Sequence, residues 1–303
     1  MSFRPLGLIT AAVVIGTALY VYREPLRLAW VVAAGRSPHC PLPQALRSAS
    51  HQRNLTATKD RILAASRRVR DDPAGLVLWE TPRGSFWITP GSDYFLPFHL
   101  AEQEVSIYSA PGVGVGPDDV VLDCGANVGV YARHAIEAGA KLVVAIEPAP
   151  ETLECLRRNL AGEIAASRVI VYPKGVWDKE DQLTLYVDPA NTAAASFLHQ
   201  DTKFRQVQQV PLTTIDNLVA ELGLERVDFI KMDIEGAEPN ALRGARQTLN
   251  RFRPRLAISS YHAADHPVVI PAVINEIAPG YQLRCGVCTE ANGGIRPDVL
   301  FFH

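Results

Sequence analysis

The sequence predicts an α/β fold with an open, doubly wound and mostly parallel sheet, and three observations support this. From Val120 onward, short apolar runs alternate with helical patterns, as expected when helices connect parallel strands. The runs VVLDCG and LVVAIEP are apolar almost throughout, which is typical of strands buried on both faces. Between them lie a glycine-bearing turn, DCGANVG, and a helical segment, which is how nucleotide-binding α/β folds begin.

The other elements follow from apolar periodicity and turn residues. Ahead of the sheet we expect a helix, a hairpin and a second helix, over residues 44–70, 75–90 and 96–109. After Val120 we expect helices over residues 151–160, 214–223, 238–249 and 271–278. The expected strands are RVIVYP, QLTLYV, VDFIKMDIEG, RLAISSYH, YQLRCGV and DVLFFH. The chain then divides into residues 1–22, a basic linker and helix at 23–74, and an α/β domain at 75–303 with its core at 118–303.

The N-terminus carries an uncharged apolar run of 17 residues, LGLITAAVVIGTALYVY, at 6–22. About 20 residues usually cross a bilayer, so this run is near the short limit for a span. A cleaved signal peptide needs small residues soon after the run, and YVYREP offers none, so we expect an uncleaved transmembrane anchor. The basic residues that follow predict a single-pass membrane protein whose large domain lies in the cytoplasm.

Charge is distributed unevenly along the chain. Residues 23–70 carry ten Lys and Arg against two acids, whereas residues 71–303 carry 19 basic and 30 acidic residues. The basic segment is expected either to lie against anionic lipid or to form a solvated helix face, and the sequence favours neither reading. The acidic body argues against nucleic acid as the main partner.

The five cysteines stand at irregular spacing and give no disulfide framework. The odd count also argues against a fully paired secreted protein. Cys285 and Cys288 form a CxxC, but no second pair follows at zinc-finger spacing. Two ordinary thiols are therefore expected there, rather than a zinc site.

The turn at residues 125–129, GANVG, is the first candidate binding feature. It lacks the central glycine of GxGxxG, the pattern that brings a pyrophosphate to a helix N-terminus. Asp123 would repel a pyrophosphate, whereas it suits a cationic ligand that carries an amino acid, such as S-adenosylmethionine. Glu147 ends the next strand, where an acid can accept hydrogen bonds from both ribose hydroxyls. Cofactor contacts are thus expected from Asp123, Gly125, Asn127, Gly129 and Glu147.

The second candidate feature is IKMDIEGAEPNALRGA at residues 230–245. Its acids and its lysine crowd the carboxyl end of a predicted strand: Lys231, Asp233, Glu235 and Glu238. Charges after a strand are usually solvated loop residues. Here they fall on the edge of the sheet where ligands bind in doubly wound folds, which favours a functional role.

These stretches together resemble a known family. DCGANVGVYA, AIEP and FIKMDIEGAEPNALRGA are similar to the FkbM-type S-adenosylmethionine-dependent methyltransferases, and the resemblance covers residues 95–303, including AISSYH. It implies a class I methyltransferase (Rossmann-like) fold and O-methylation of a hydroxyl on a sugar, glycan or secondary metabolite. One departure is AADHPVVIP after His262, where related sequences often have an acid and a Trp. The identity of the acceptor in related proteins is therefore not assigned to this chain.

Methyl transfer to an alcohol requires alignment of the two reactants and removal of the hydroxyl proton. Asp233 and His262 are the candidate catalytic residues, although a His after a strand is also often a structural hydrogen-bonding group. Lys231, Glu235 and Glu238 are expected to bind the acceptor. A divalent cation held by the acids is the weaker alternative because Lys231 already offers a counter-charge, so no metal is expected.

Two other functions stay open on the sequence alone. One is a nucleotide-dependent oxidoreductase on a similar sheet, against which the missing GxGxxG and Asp123 both count. The other is a non-catalytic binding module tethered to a membrane, against which the retained acids count. Absence of nicotinamide binding would exclude the oxidoreductase, and calorimetry with S-adenosylmethionine separates a methyltransferase from the binding module.

Overall fold

The computed structural model describes residues 22–73, 75–188, 191–196, 205–291 and 294–303. The helices in this part of the chain are α1 (22–33), α2 (Leu42–Ala45), α3 (Ser48–Ala64), α4 (Phe95–Glu104), α5 (Val130–Glu137), α6 (Pro150–Asn159), α7 (Ala161–Ala165), α8 (Ile215–Glu221), α9 (Glu238–Arg243), α10 (Arg246–Phe252) and α11 (His266–Ile277). The first strands are β1 (Arg67–Asp71), β2 (Val77–Thr81), β3 (Gly84–Ile88), β4 (Val120–Cys124), β5 (Leu142–Ile146), β6 (Val169–Tyr172), β7 (Gly175–Val176) and β8 (Asp181–Asp188). The later strands are β9 (Asn191–Ser196), β10 (Arg205–Thr213), β11 (Phe229–Met232), β12 (Arg255–Ser259), β13 (Leu283–Cys285), β14 (Cys288–Ala291), β15 (Gly294–Pro297) and β16 (Val299–Phe302).

A seven-stranded sheet forms the centre of the structure, in the order β13-β16-β12-β11-β4-β5-β6. Neighbours from β12 to β6 run parallel, and β16 pairs antiparallel with both β12 and β13. Both faces are covered: Leu122 and Ile230 belong to one buried cluster, and Val121 and Phe229 to another. This confirms the doubly wound, mostly parallel sheet, and its strand order is that of a class I methyltransferase fold.

The direction of chain progression reverses at β4. Its successor β5 lies on one side, and β11 lies on the other. Ligands in open α/β sheets bind outside the carboxyl ends of strands at such a switch point. The strands β4, β5 and β11 end there at Cys124, Ile146 and Met232, just before the residues that the sequence singled out.

Several elements differ from the sequence expectation. QLTLYV forms β8, but this strand belongs to a separate four-stranded sheet with order β7-β10-β8-β9. The single helix expected over 238–249 is two helices, α9 and α10. They divide at Gly244, where a Cβ would lie 2.1 Å from the carbonyl oxygen of Trp177.

The expected helix over residues 44–70 is shorter than the pattern suggested. Helix α3 ends at Ala64, and residues 67–71 form β1, which pairs antiparallel with β2. Val69 is 45% exposed, so it extends no apolar helix face. The hairpin expected over 75–90 is confirmed as β2 and β3. The domain boundary expected at residue 74 therefore falls between two paired strands.

The basic residues of this region pair largely with acids of the same chain. Arg61 contacts Glu104 of α4, Arg67 contacts Glu80, and Arg68 contacts Asp71. Both sides of these pairs are substantially exposed, so each pair contributes little to stability. The expectation of lipid contact finds no support in these pairings.

The expected membrane localisation needs correction. Within the described residues, no helix has the length and apolar character needed to cross a membrane. Residues 6–21 of the expected anchor lie outside the described residues. The expected single-pass membrane protein is therefore not supported.

The cysteines also behave differently from the expectation. Cys288 of the CxxC forms a disulfide with Cys40, 248 residues earlier in the chain. The pair lies in a small apolar cluster with Leu28, Val31 and Ile295, which joins α1 to the two-stranded β14-β15 sheet. Cys285 is free. Sequence spacing cannot reveal a pairing over this separation, because the two cysteines meet only in the folded chain.

Candidate active site

A cavity opens at the switch point, at the carboxyl ends of β4, β5 and β11. Its empty volume is about 970 Å³, a figure that includes open solvent at the mouth. Its wall includes Gly125, Asn127, Glu147, Tyr108, Lys231, Asp233, Glu235, Tyr261 and, from α4, His99, Glu102 and Gln103. The structure thus brings six of the ten sequence-predicted site residues to one cavity.

The turn after β4 is fixed against the end of β11. Gly125 has φ +78°, and a Cβ at this position would lie 1.9 Å from the carbonyl oxygen of Asp233. Lys231 donates from Nζ to the carbonyl oxygen of Gly125 at 2.9 Å. Only glycine fits a left-handed conformation with so close a neighbour, so glycine is required for the turn to lie against the end of β11.

Asp123 and Lys231 form a buried ion pair beneath this turn. Asp123 is fully buried, and its Oδ1 lies 3.1 Å from the Nζ of Lys231. Burial raises the pKa of Asp123 even though the charge of Lys231 opposes the shift. Asp123 is not part of the cavity wall. Asp123 therefore faces Lys231 rather than the cavity, and its expected contact with a cationic ligand stays a prediction.

Glu147 holds the other side of the turn. Its Oε2 accepts from the backbone N–H of Asn127 at 2.9 Å, and its Oε1 accepts from that of Ala149 at 2.8 Å. Burial raises the pKa of Glu147 to about 7, although these two N–H donors lower it. Each oxygen retains a second lone pair for a hydroxyl donor. Gly129, by contrast, lies outside the wall and packs against Leu156 and Leu160 of the α6 region.

Asp233 accepts hydrogen bonds from two tyrosine hydroxyls in the cavity. Tyr108 donates to its Oδ2 at 2.7 Å, and Tyr261 donates to its Oδ1 at 3.1 Å. Burial would raise the pKa of Asp233, but the charges of His262 and Lys231 and the Tyr108 hydrogen bond lower it below its usual value. Asp233 is therefore an anion at neutral pH, with defined hydrogen-bond donors on both oxygens.

His262 lies behind Asp233 and is not part of the cavity wall. Its side chain is 4% exposed, with Nε2 3.3 Å from Asp233 Oδ1 and Nδ1 2.9 Å from Glu238 Oε1. Burial lowers its pKa, but the nearby carboxylates outweigh burial and raise it to about 9. At neutral pH the imidazole is a cation between two carboxylates. Both of its ring nitrogens then carry protons, so it has no lone pair with which to act as a base.

Glu238 and Glu235 occupy different places. Glu238 is fully buried at the start of α9 and accepts from the backbone N–H of Ile234 at 3.0 Å, away from the wall. Glu235 lines the cavity, with φ +54° and a pKa that burial raises to about 7. Of these two acids, only Glu235 is placed to touch a ligand in the cavity.

A metal ion has one candidate set of ligands in the described part of the chain. Donor atoms of Asp233, Glu238 and His262 lie within 4.8 Å of one another. These groups already neutralise one another as a cation between two anions. The expectation that the site works without a metal stays a prediction.

Sequence reasoning missed the residues from α4 and the two tyrosines on Asp233. Residues 96–109 carried only a helical pattern, with no spacing that marks a binding residue. The Tyr261-His262 pair is visible in the sequence, but the usual pKa of histidine marks His262 rather than Tyr261 as a candidate base. Tyr108 meets Asp233 across 125 residues of chain, a distance that no local motif spans.

The family model that matches this chain describes a methyltransferase domain, and two of the named relatives are methyltransferases. A family model for the methyltransferase FkbM domain matches residues 123–278, slightly more than half of the chain. The chain is similar to the 2-O-methyltransferase NoeI of Sinorhizobium fredii, with 28% identity over 45% of this chain and 61% of that protein. It is also similar to the 31-O-demethyl-FK506 methyltransferase FkbM of Streptomyces tacrolimicus, with 26% identity over 52% of this chain and 71% of that protein.

A further relative is the AMB antimetabolite synthetase AmbE of Pseudomonas aeruginosa, 31% identical over 46% of this chain but only 8% of that protein. The chain thus spans less than two thirds of AmbE and of NoeI. Among solved structures, the methyltransferase FkbM of Methylobacillus flagellatus KT matches with a TM-score of 0.50 and 21% identity, over 85% of this chain and 60% of that one. This last likeness shows the fold alone.

Proposed function

Because the chain belongs to the FkbM methyltransferase family, we propose that it methylates a hydroxyl group of a sugar, glycan or secondary metabolite with S-adenosylmethionine as the donor. The observation that carries the proposal is the position of Asp233. Its carboxylate lines the same cavity as the Gly125 turn and Glu147. A hydroxyl bound at Asp233 therefore shares one enclosed space with a ligand bound at the turn.

The charges of the cavity fit a cationic cofactor better than a pyrophosphate. Among its described lining residues, Lys231 is the only lysine or arginine, and Asp123 neutralises it. Among the acids in the wall, Asp233 has a pKa below its usual value, and Glu147 and Glu235 have pKa values raised to about 7, so each can carry negative charge near neutral pH. When bound, S-adenosylmethionine supplies a methyl group on a sulfonium, which an oxygen nucleophile can displace. Gly125, Asn127 and Glu147 are the residues that would hold it.

Asp233 orients the acceptor and receives its proton. Tyr108 donates to Oδ2, and Tyr261 donates to Oδ1 at 3.1 Å and more weakly to Oδ2 at 3.4 Å. Because His262 Nε2 also lies 3.3 Å from Oδ1, Oδ2 is the oxygen with more capacity left for the acceptor O–H. As the acceptor oxygen displaces the sulfide and the bond between the methyl carbon and sulfur breaks, Asp233 would receive the hydroxyl proton and release it to water. A carboxylate with a lowered pKa is a weak base, so alignment contributes more than proton removal.

His262 and Glu238 act through Asp233 in this account. The imidazolium cation stabilises the ionised carboxylate, and Glu238 fixes the ring from its other side. Both are positioning residues, because neither lines the cavity. Lys231 likewise holds the Gly125 turn in place through its hydrogen bond to the carbonyl oxygen.

The names of two relatives support oxygen as the acceptor atom. NoeI is named a 2-O-methyltransferase, and the Streptomyces tacrolimicus protein is named for methylation of 31-O-demethyl-FK506. The two names describe different molecules with a hydroxyl in common. We therefore propose O-methylation. The identity of the acceptor molecule is not inferred from these names.

Calorimetry with S-adenosylmethionine tests the proposal directly. We expect binding by the wild type, and Glu147→Ala should weaken it by about 2–4 kcal/mol because two charged hydrogen bonds to the ribose are lost. Glu154→Ala, on the exposed side of α6, is the matched control and should bind as the wild type does. Binding of a nicotinamide dinucleotide in place of S-adenosylmethionine would contradict the proposal. Equal binding by wild type and Glu147→Ala would remove Glu147 from the cofactor site.

A further inference from the structure

Helix α4 presents three polar side chains to the cavity. His99, Glu102 and Gln103 stand three and four residues apart, so they share one face of the helix. All three line the cavity that Asp233 also lines. The helix lies outside residues 123–278, the range that the family model matches. Its polar face is therefore a feature of this chain that the family match does not explain.

Glu102 is the unusual member of this group. It is 8% exposed, and in the described part of the chain its carboxyl makes no hydrogen bond. Burial raises the pKa of Glu102 well above its usual value, and the charges of Asp233 and Asp298 raise it further. The raised pKa favours the protonated carboxylic acid, which has one O–H donor and free acceptor capacity.

His99 is neutral as well. Burial lowers the pKa of His99 to about 4, although the charge of Asp233 opposes the shift. A neutral imidazole carries one donor and one acceptor. Gln103 donates from its amide to the backbone carbonyl of His99 at 3.3 Å, which leaves its side-chain oxygen for another partner. The cavity face of α4 is thus uncharged and rich in both donors and acceptors.

We propose that α4 forms an acceptor subsite for an uncharged polyhydroxylated group such as a sugar ring. Glu102 and His99 bind hydroxyls that neighbour the one held by Asp233, because each offers a donor and an acceptor to match a hydroxyl. This inference rests on the proposed methyltransferase function and assigns the acceptor side of the same cavity. An acceptor without neighbouring hydroxyls would leave the buried acid unpaired, which such sites reject strongly.

The test compares three variants on one helix. Glu102→Leu removes the carboxyl, Glu102→Gln keeps a neutral hydrogen-bonding group, and Glu104→Gln changes an exposed acid of α4 as the control. The probes are a panel of methyl pyranosides, with cyclohexanol as an alcohol that lacks neighbouring hydroxyls. Binding is measured by ligand-observed NMR in the presence of S-adenosylhomocysteine, and turnover by the S-adenosylhomocysteine formed from S-adenosylmethionine.

We expect at least one pyranoside to bind the wild type more tightly than cyclohexanol does. Glu102→Leu should weaken that binding by about 10–100-fold, and Glu102→Gln by less, because the amide still donates and accepts. Binding of S-adenosylmethionine should stay unchanged in all three variants. Glu102→Leu should melt at or above the wild-type temperature, because it removes a buried polar group without a hydrogen bond.

Three results would overturn the inference while the methyltransferase function stands. One is a wild type that binds S-adenosylmethionine but no pyranoside. Another is a Glu102→Leu variant that binds the pyranoside as the wild type does. The third is a loss in Glu102→Gln as large as that in Glu102→Leu, which would show that an ionised carboxylate does the binding. Failure of the proposed function would instead appear as absence of S-adenosylmethionine binding.

Discussion

Asp233 shows how the surroundings of a residue decide its role. Its position after a buried strand identified it from the sequence alone, and the structure places it in the cavity wall. His262 was an equal candidate on the sequence, since a histidine usually titrates near neutral pH. Three carboxylates within 4 Å of its ring raise its pKa to about 9. All three carboxylates come from residues 233–238. The sequence shows these acids, but it does not show that the folded chain brings them against the ring of His262.

The charge of His262 leads to a prediction of pH dependence. The folded-state pKa of about 9 lies above the ordinary value of 6.5. The stabilisation by the cation is therefore fully present below about pH 6.5 and is lost as the pH rises through 9. We expect His262→Gln to lower the free energy of unfolding by an amount on the order of 3 kcal/mol at pH 6. The difference from the wild type should shrink toward pH 10.

Denaturant unfolding between pH 6 and pH 10 measures this difference. His303→Gln changes an exposed histidine at the chain end and serves as the control, with no expected pH-dependent difference. A difference between wild type and His262→Gln that stays constant across the range would mean that His262 is neutral in the folded protein.

At the scale of elements, the turn between β4 and α5 gives a sharp prediction. Gly125→Ala places a Cβ 1.9 Å from the carbonyl oxygen of Asp233, in a left-handed conformation. We expect this change to lower stability by about 2 kcal/mol or more through strain and displacement of the β11 end. It should also weaken S-adenosylmethionine binding because the turn moves. Thermal unfolding and calorimetry measure the two effects.

The control for this change is Gly162→Ala in α7. There a Cβ meets nothing within 4 Å, and the backbone is helical. Alanine in a helix interior is more favourable than glycine by roughly 0.5–1 kcal/mol, so this variant should be as stable as the wild type or slightly more stable. Similar behaviour of the two alanine variants would contradict the close approach of β4 and β11.

Elements with strong local patterns could be predicted, and elements that depend on distant partners could not. The apolar runs of β4, β5 and β12 and the hairpin of β2 and β3 follow from periodicity and turn residues. Strand β10 could not be predicted from the pattern, because RQVQQVPLT is largely polar. It forms a strand because it pairs antiparallel with β8. Residues 67–71 likewise form a strand through pairing with β2 rather than through their own composition.

At the scale of the whole molecule, two long-range contacts organise the chain around the central sheet. The Cys40–Cys288 disulfide joins the region after α1 to β14. Helices α3 and α4 and the β2-β3 hairpin share one buried cluster that includes Leu55, Phe86 and Leu100. The N-terminal region thus supports α4, which lines the cavity. The acceptor side of the site depends on chain outside the matched family domain.

We propose that Asp233 orients the acceptor and takes its proton in a methyl transfer. Asp233→Asn keeps the shape of the side chain and removes its charge and basicity. The decisive measurement is the rate of S-adenosylhomocysteine formation by wild type and Asp233→Asn, with methyl pyranosides and simple alcohols as acceptors. We expect the variant to bind S-adenosylmethionine within a few-fold of the wild type and to turn over roughly 10²-fold more slowly or worse. Equal rates of S-adenosylhomocysteine formation by the two proteins would contradict the account.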